Sequence, residues 1–168
     1  MNKVSFRNDI LPLKNQLYRL ALRITQNNAD AEDIVQETLL KVWKLRERWD
    51  SLDSIEAFCM TVCRNLSLDH LRHMENRLES LDDSPIERPD HQANPFEETV
   101  RRNQMELIRQ IIDSLPEKLR TCIQLRDIEG KPYKEIAAIM EITEEQVKVN
   151  IFRARQAIRE KWSRITPS

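Results

Sequence analysis

The residues best suited to chemistry lie on one face of the last helical pattern in the chain. Between Lys148 and Arg164 there are six basic side chains and one acidic one, and Phe152 lies in the middle of their face. Cationic side chains bind DNA phosphates and guanine edges, and an apolar side chain can contact a thymine methyl group. A charge run usually marks a solvated face, but an exposed Phe152 needs a reason. The pattern therefore favours DNA binding.

Two helices separated by a tight turn are predicted around this cationic face. The first directs Ile136, Ala137 and Met140 toward a core. The inward positions of the second recur at spacings of four, three, four and four residues, which is one side of a 3.6-residue repeat: Val147, Ile151, Ala154, Ile158 and Trp162. A short helix, a turn and a cationic second helix predict a helix-turn-helix.

A second group of polar residues follows the outer side of an earlier helix, and it consists of Asp30, Asp33, Gln36, Glu37 and Leu40. A solvated face is the ordinary interpretation. Acid–base catalysis would need a cleft and raised carboxyl pKa values. The functional interpretation is a protein-docking face, in which charges orient the partner and an exposed leucine anchors it.

Two tryptophans flank a polar loop that precedes the third helical pattern. We expect Trp43 to pack in the core. Trp49 lies in the loop, where it could pack or stack on a base. Together with Asn65 and Arg72 on the following helix, this loop could hold an unpaired nucleotide, as single-strand binders do.

Cysteines and histidines on the third helix invite a metal hypothesis. However, Cys63 and His70 are seven residues apart, roughly 10 Å along a helix axis, which is too far for one zinc ion. We expect neither a metal site nor a cofactor. Cys59, Cys63 and Cys122 form no CxxC pair, and neither a secretory signal nor a 20-residue apolar run is found. A reducing cytoplasm, without membrane insertion, is therefore expected.

Composition and element order bound the fold. The chain of 168 residues has one glycine, 5% aromatic and 33% charged residues, which argues against phosphate-cradling loops and β-hairpins. Two helices are predicted between Ile10 and Leu45, with Asp30 as the N-cap of the second, and a third from Ile55 to Met74. Residues 77–100 carry three prolines, seven acidic and two basic residues, which predicts a linker. Further helices follow, and Gly130 is placed to end one of them.

The fold prediction is all-α, with two small helical domains joined by an acidic flexible linker. The domains are residues 1–76 and 101–168, the second a helix-turn-helix, with the linker at 77–100.

The motifs in these segments resemble a known family. Asp30-Ala31-Glu32-Asp33-Ile34-Val35-Gln36-Glu37 and Arg64-Asn65 through Asp69 to Arg72 are similar to the second conserved region of extracytoplasmic-function sigma factors. Leu115-Pro116, Glu135-Ile136-Ala137 and Arg153-Ala154-Arg155 are similar to their fourth region. The resemblance implies a non-enzymatic factor that directs core RNA polymerase to specific promoters and promotes DNA opening.

The resemblance also implies residue roles. The surface for core polymerase would comprise Asp33, Ile34, Gln36, Glu37 and Leu40. The promoter −10 element would be bound by Trp49, Asp50, Ser51, Leu52, Asn65, Asp69 and Arg72. The −35 element would be bound by Glu145, Lys148, Asn150, Phe152 and Arg153. The partners implied are the polymerase clamp helices and flap, promoter DNA and an anti-sigma factor.

One rival function uses only the C-terminal helices. In that hypothesis the chain is an ordinary DNA-binding repressor or activator, and residues 1–76 serve for dimerisation. A carboxylate-dependent nuclease is a third hypothesis. Only the sigma factor interpretation predicts association with core polymerase.

Overall fold

A computed structural model describes residues 3–80 and 100–165, with the side chains of 3–78 and 103–165. Seven α-helices occur in these ranges: α1 Lys14–Thr25, α2 Asn28–Lys44, α3 Ile55–Ser80, α4 Val100–Asp113, α5 Glu117–Ile123, α6 Tyr133–Met140 and α7 Glu144–Ile165. Shorter helical turns span Phe6–Ile10, Leu11–Leu13, Arg46–Ser51 and Gln124–Ile128. The all-α prediction, with one helical region on each side of residues 81–99, is confirmed. Most of the predicted linker lies outside the described residues, but α3 continues past its predicted end at Met74 to Ser80.

The first three helices pack on one another around the inward side of α1. Leu17, Leu20, Ala21 and Ile24 are buried there, as their spacing predicts. The helix ends where Gln26 adopts a left-handed φ of 59°. Such single left-handed residues are common at helix ends.

The N-cap of α2 differs from the prediction. Asn27, not Asp30, caps the helix, and its side-chain oxygen accepts a hydrogen bond from the Asp30 backbone N–H at 3.0 Å. The helix therefore starts earlier than predicted, and Asp30 lies in its first turn. A negative charge there still stabilises the positive end of the helix dipole.

Trp49 packs in the core, which is one of the two alternatives predicted for it, whereas Trp43 differs from its prediction. The turn Arg46–Ser51 places Trp49 in the core with 7% exposure, and its indole Nε1 donates to the Val42 carbonyl at 3.1 Å. Trp43 is 43% exposed, so its predicted core position is wrong. Val42 occupies the inward position of α2, and the next residue is rotated about 100° away from it.

The C-terminal helices form the predicted helix-turn-helix. Gly130 adopts a φ of 72° after the turn Gln124–Ile128, as expected for a residue that ends a helix. α6 buries Ile136, Ala137 and Met140 and ends at Glu141, whose φ is 58°. A reciprocal capping box then begins α7. The Gln146 N–H donates to Thr143 Oγ1 at 3.1 Å, and the Thr143 N–H donates to Gln146 Oε1 at 2.9 Å.

The N-terminal half, α1–α3, packs directly against the C-terminal half, α4–α7. α3 contacts α6, and α1 contacts α5. One continuous apolar cluster includes Leu17 and Met60 from the first half and Leu125 and Ile136 from the second. A smaller cluster, formed by Ile112, Leu115, Ile123 and Ala154, belongs to the C-terminal half alone. The main core therefore crosses from one half to the other.

Candidate nucleic-acid interface

The outward face of α7 carries most of the residues predicted to contact DNA, and we call it the α7 face. Its exposed members are Glu145, Lys148, Val149, Phe152 and Arg153. Phe152 is 63% exposed although Val147, Ile151 and Ala154 on the opposite side are buried. A large apolar side chain with cationic neighbours is thus presented to solvent by a rigid helix. This combination suits the major groove, where phosphates, guanine edges and thymine methyl groups are accessible.

Tyr133 links α6 to this face through its ring. The Lys148 ammonium lies 5.8 Å from the ring centroid, and the Arg126 guanidinium lies 4.4 Å from it. Cations are attracted to the face of an aromatic ring at these distances. Sequence reasoning missed Arg126 and Tyr133, although an aromatic residue at the first position of α6, with Lys131 and Lys134 close by in the sequence, is a usable signal.

Arg155 is held on the flank of α7 by an ion pair. Its guanidinium donates to Asp127 Oδ1 at 2.6 Å and to Oδ2 at 3.2 Å. The hydrogen bond with Asp127 raises the pKa of Arg155 above its ordinary value. Asp127 therefore orients this arginine, although Arg155 and Arg153 are both exposed on the helix.

Asn150 does not share the exposed setting of the other predicted −35 contacts. It is half-buried, and its side chain faces the Cys122 thiol. Burial raises the pKa of Cys122 to about 11, and the hydrogen bond with Asn150 opposes that rise. Because Asn150 precedes the buried Ile151, it lies at the edge of the packed side of α7.

The outward side of α2 forms a second exposed surface, which we call the α2 face. Asp33, Gln36 and Glu37 are exposed, and Leu40 is 55% exposed. Ile34 is only 3% exposed and packs in the main apolar cluster, so it lies beneath the α2 face, and its predicted contact with core polymerase stays a prediction.

Trp43 adds an aromatic group to the end of the α2 face. Its ring packs edge-to-face on Phe6 at 5.5 Å, and the Arg46 guanidinium lies 4.7 Å from its centroid. Sequence reasoning missed Trp43 as a surface residue. The sequence signal was its position three residues after Leu40, which places both on neighbouring parts of one helix face.

The residues predicted to bind the −10 element are divided between a short helical turn and α3. Asp50 and Ser51 are exposed at the end of the turn Arg46–Ser51, and Leu52 is half-buried. Asn65, Asp69 and Arg72 are exposed on α3, and the Arg72 guanidinium donates to Asp69 Oδ1 at 2.5 Å. Asn65 lies ten residues after the start of α3 at Ile55, which corresponds to about 15 Å along the helix. The two groups of predicted −10 contacts are therefore spread along α3 and the turn before it.

Trp49 differs from the other predicted −10 contacts because it is buried. The indole N–H is bonded to Val42, and its ring packs edge-to-face with Trp43 at a centroid distance of 6.0 Å. Stacking on a base, the other alternative predicted for Trp49, would require the indole to leave this position. In this structure Trp49 instead supports the turn that carries Asp50 and Ser51.

The cysteines of α3 are packing residues. Burial raises the pKa of both Cys59 and Cys63 to about 12. Within residues 3–78 and 103–165, no group of three His, Cys, Asp or Glu side chains is arranged to hold a metal ion. Among the described helices, none has the length and apolar character required to cross a bilayer.

Both helical regions match known protein families. Residues 10–77 match sigma-70 region 2, and residues 105–158 match sigma-70 region 4. The ECF RNA polymerase sigma-E factor of Salmonella typhimurium is 30% identical over 139 residues, covering 78% of this chain and 73% of that protein. The chain belongs to the extracytoplasmic-function sigma factors of the sigma-70 family. As such it is an RNA polymerase sigma factor for promoter-specific transcription initiation, and not an enzyme.

Two further relatives extend the comparison. The ECF sigma factor SigE of Mycolicibacterium smegmatis is 32% identical over 148 residues, covering 87% of this chain. The match covers only 57% of the length of the M. smegmatis protein, so the chain spans little more than half of that relative. The sigma factor RpoE of Bartonella quintana, solved in complex with the anti-sigma factor NepR, is similar in fold. Its TM-score is 0.76 at 23% identity, covering 94% of this chain and 96% of that one.

Proposed function

We propose that this sigma factor directs core RNA polymerase to particular promoters by dividing the task among three surfaces. The α2 face docks on the polymerase clamp helices. The turn ending at Ser51, with the exposed strip of α3, holds the opened −10 strand. The α7 face binds the −35 duplex. This work would take place in the cytoplasm, where polymerase and promoter DNA are found.

The single observation that carries the proposal is the α2 face. The rival DNA-binding regulator would use residues 1–76 for dimerisation, but a two-fold dimer through the α2 face would place its acidic residues against one another. Exposed apolar anchors surrounded by charges are typical of protein interfaces. A factor that binds DNA only together with polymerase needs such a face.

Roles within the −10 surface follow from exposure. Asp50, Ser51, Asn65 and Arg72 are available for contacts with an unpaired strand. We assign Trp49 a supporting role, because the hydrogen bond from its indole N–H to the Val42 carbonyl holds the turn against α2. At the −35 surface, Lys148 and Arg153 supply the cations and Phe152 the apolar contact.

The test is association with core polymerase. The purified chain and core enzyme should co-migrate in size-exclusion chromatography, and Gln36→Ala combined with Glu37→Ala should weaken the complex. Glu160→Ala, which removes an exposed acid from α7, is the control and should bind like the unchanged protein. A chain that binds duplex DNA tightly alone and ignores polymerase would contradict the proposal.

An anti-sigma factor is the second proposed partner. The support is the Bartonella relative, whose structure was determined with its anti-sigma factor NepR. A pull-down of this chain from its own cells before and after inducing stress should recover a partner that is then released. A complex unchanged by the stress would count against this mechanism.

A further inference from the structure

The centre of the α7 face is apolar, although its borders are cationic. Val149 is 44% exposed and Phe152 is 63% exposed. Val149 lies two residues before the buried Ile151, a rotation of about 200° around the helix, so it points directly away from the core. Single exposed apolar residues are common on protein surfaces. Two neighbours on the second helix of a helix-turn-helix, the one that enters the major groove, need an explanation.

The two apolar residues belong to a stripe of exposed side chains with helical spacing. The members of the stripe recur at intervals of four, three and four residues, and they are Glu145, Val149, Phe152 and Gln156. The ends of the stripe are polar, whereas the side chains of Val149 and Phe152 have neither a hydrogen-bond donor nor an acceptor. The middle of the stripe therefore cannot bond to a base edge or a phosphate, and an apolar group is the partner that suits it.

Cations on both sides of the stripe fix its position over a groove. The Lys148 ammonium lies 5.8 Å from the Tyr133 ring centroid on one side, and Arg153 is exposed on the other. Arg126, which lies over the same ring at 4.4 Å, is held by donating to the Lys131 carbonyl at 2.9 Å. Phosphates border the groove on both edges and attract these cations, which leaves the middle of the stripe over the base edges.

The apolar group that a base pair presents in the major groove is the C5-methyl group of thymine. An apolar side chain over this methyl group removes apolar surface from water on both partners. Over a G·C pair, the same side chain would exclude water from guanine O6 and the cytosine amino group without replacing their hydrogen bonds, which is costly. Val149 and Phe152 therefore favour thymine and disfavour G·C pairs at the positions that they cover.

Helix geometry sets the separation of the two methyl groups. Side chains three residues apart on a helix have Cβ atoms about 5–6 Å apart. Successive bases on one strand are about 3.4 Å apart along the duplex. Val149 and Phe152 thus span one to two base-pair steps, so the two thymines lie at that separation.

We propose that Val149 is a specificity-determining residue of this sigma factor, which together with Phe152 binds the C5-methyl groups of two neighbouring thymines in the −35 element. Lys148 and Arg153 hold the duplex on either side. This inference rests on the proposed −35 function of the α7 face. It adds the class of base pair that is read at the centre of that face and the side chain that selects it.

The test uses holoenzyme and a promoter duplex whose −35 region is randomised. Duplexes that holoenzyme retains are sequenced, and the preferred one is synthesised with deoxyuridine in place of single thymidines. Uracil pairs with adenine as thymine does and lacks only the methyl group. Two of these exchanges, one or two steps apart, should each weaken binding about fourfold, the effect of one buried methyl group. Exchanges at thymines elsewhere in the duplex serve as controls and should leave affinity unchanged.

Val149→Ala connects one protein side chain to one of the two methyl groups. In this variant the exchange sensed by Val149 should have no further effect, whereas the exchange sensed by Phe152 should still weaken binding about fourfold. A merely structural role of Val149 would instead lower affinity for all duplexes alike. Leu78→Ala is the matched control, since Leu78 is 42% exposed on α3 and both exchanges should keep their full effect. Circular dichroism should show both variants folded, because both positions are exposed.

The outcomes separate methyl recognition from the proposed function. Holoenzyme that requires the −35 region but binds the thymine and uracil duplexes equally would overturn methyl recognition alone. If no complex with core polymerase forms, the proposed function fails, and the same selection with the full chain alone at low salt decides on the methyl groups. Unaltered promoter binding by Val149→Ala together with weaker polymerase association would make Val149 a protein contact and overturn the inference. A chain that retains no duplex in either form would overturn both.

Discussion

The outward faces of α2 and α7 differ in charge: the first is mainly acidic and the second mainly basic. The α2 face combines acidic and amide side chains with Leu40 and Trp43, whereas the α7 face combines Lys148 and Arg153 with Phe152. Both have exposed apolar groups, so hydrophobicity does not distinguish them. Their charge does, because the phosphate backbone requires cations and repels carboxylates. One protein thus presents a face suited to a protein partner and another suited to DNA.

The largest expected effect is on stability, and it concerns the buried Trp49 beneath the α2 face. Trp49→Ala removes a buried indole and its hydrogen bond to Val42, and should lower the free energy of unfolding by about 3–5 kcal/mol. Trp43→Ala, at an exposed position, should cost much less stability but weaken polymerase binding. Thermal unfolding followed by circular dichroism provides the first comparison. Equal destabilisation by the two variants would show that the division between supporting and contacting residues is mistaken.

The next effect tests the anchor of the α2 face. Leu40→Asp places a charge where the docking contact needs an apolar group, and should weaken core polymerase binding about 30-fold, the effect of losing a central interface residue. Leu78→Asp is the matched control, since Leu78 is similarly exposed on α3 outside this face. Binding measured by fluorescence anisotropy of labelled protein distinguishes them. Equal loss in both variants would indicate a nonspecific effect of the added charge.

On the α7 face, Arg153→Ala should weaken −35-dependent promoter binding by the assembled holoenzyme about tenfold, which is within the usual range for one base contact. If Arg153 contacts a phosphate instead, the slope of log affinity against log salt falls by about one. Leu40→Asp should leave that slope unchanged once holoenzyme is formed. An unaltered promoter affinity in Arg153→Ala would remove this residue from the DNA surface.

The smallest effect concerns pH and the contact between halves. Burial would raise the pKa of Glu129, but hydrogen bonds from Arg19 and Gln124 and the nearby Lys131 charge outweigh it and lower this pKa below the ordinary value. The stabilisation is therefore complete above the ordinary glutamate pKa of about 4.3 and is lost as pH falls through the lowered value. Unfolding titrations should show less acid sensitivity in Glu129→Gln than in the unchanged chain below pH ~4. Identical acid sensitivity would mean that the pair contributes nothing.

Helical periodicity was sufficient to predict much of this fold. The inward positions of α1 and of the helix-turn-helix follow from 3.6-residue spacing alone, and Gly130 has the backbone conformation expected of a helix stop. These features depend on residues close together in sequence. The positions of Ile34 and Asn150 required finer knowledge of which part of each helix face meets its neighbours.

Long-range packing explains the remaining differences. Nothing local shows that the turn Arg46–Ser51 places Trp49 below α2, because its neighbours in sequence are polar. The ion pairs between the halves join residues as far apart as Arg19 and Glu129, and their charges resemble ordinary solvated side chains until the fold brings them together. The sequence motifs, by contrast, were sufficient to indicate the sigma-70 family.

In vitro transcription from fragmented genomic DNA tests the central claim most directly. Core polymerase with the purified chain should produce transcripts whose start sites share two sequence elements, near −10 and near −35, and core polymerase alone should not. The pattern should disappear with Leu40→Asp and persist with Leu78→Asp. Start sites that are the same with and without the chain would contradict the assignment of the α2 and α7 faces to polymerase and promoter.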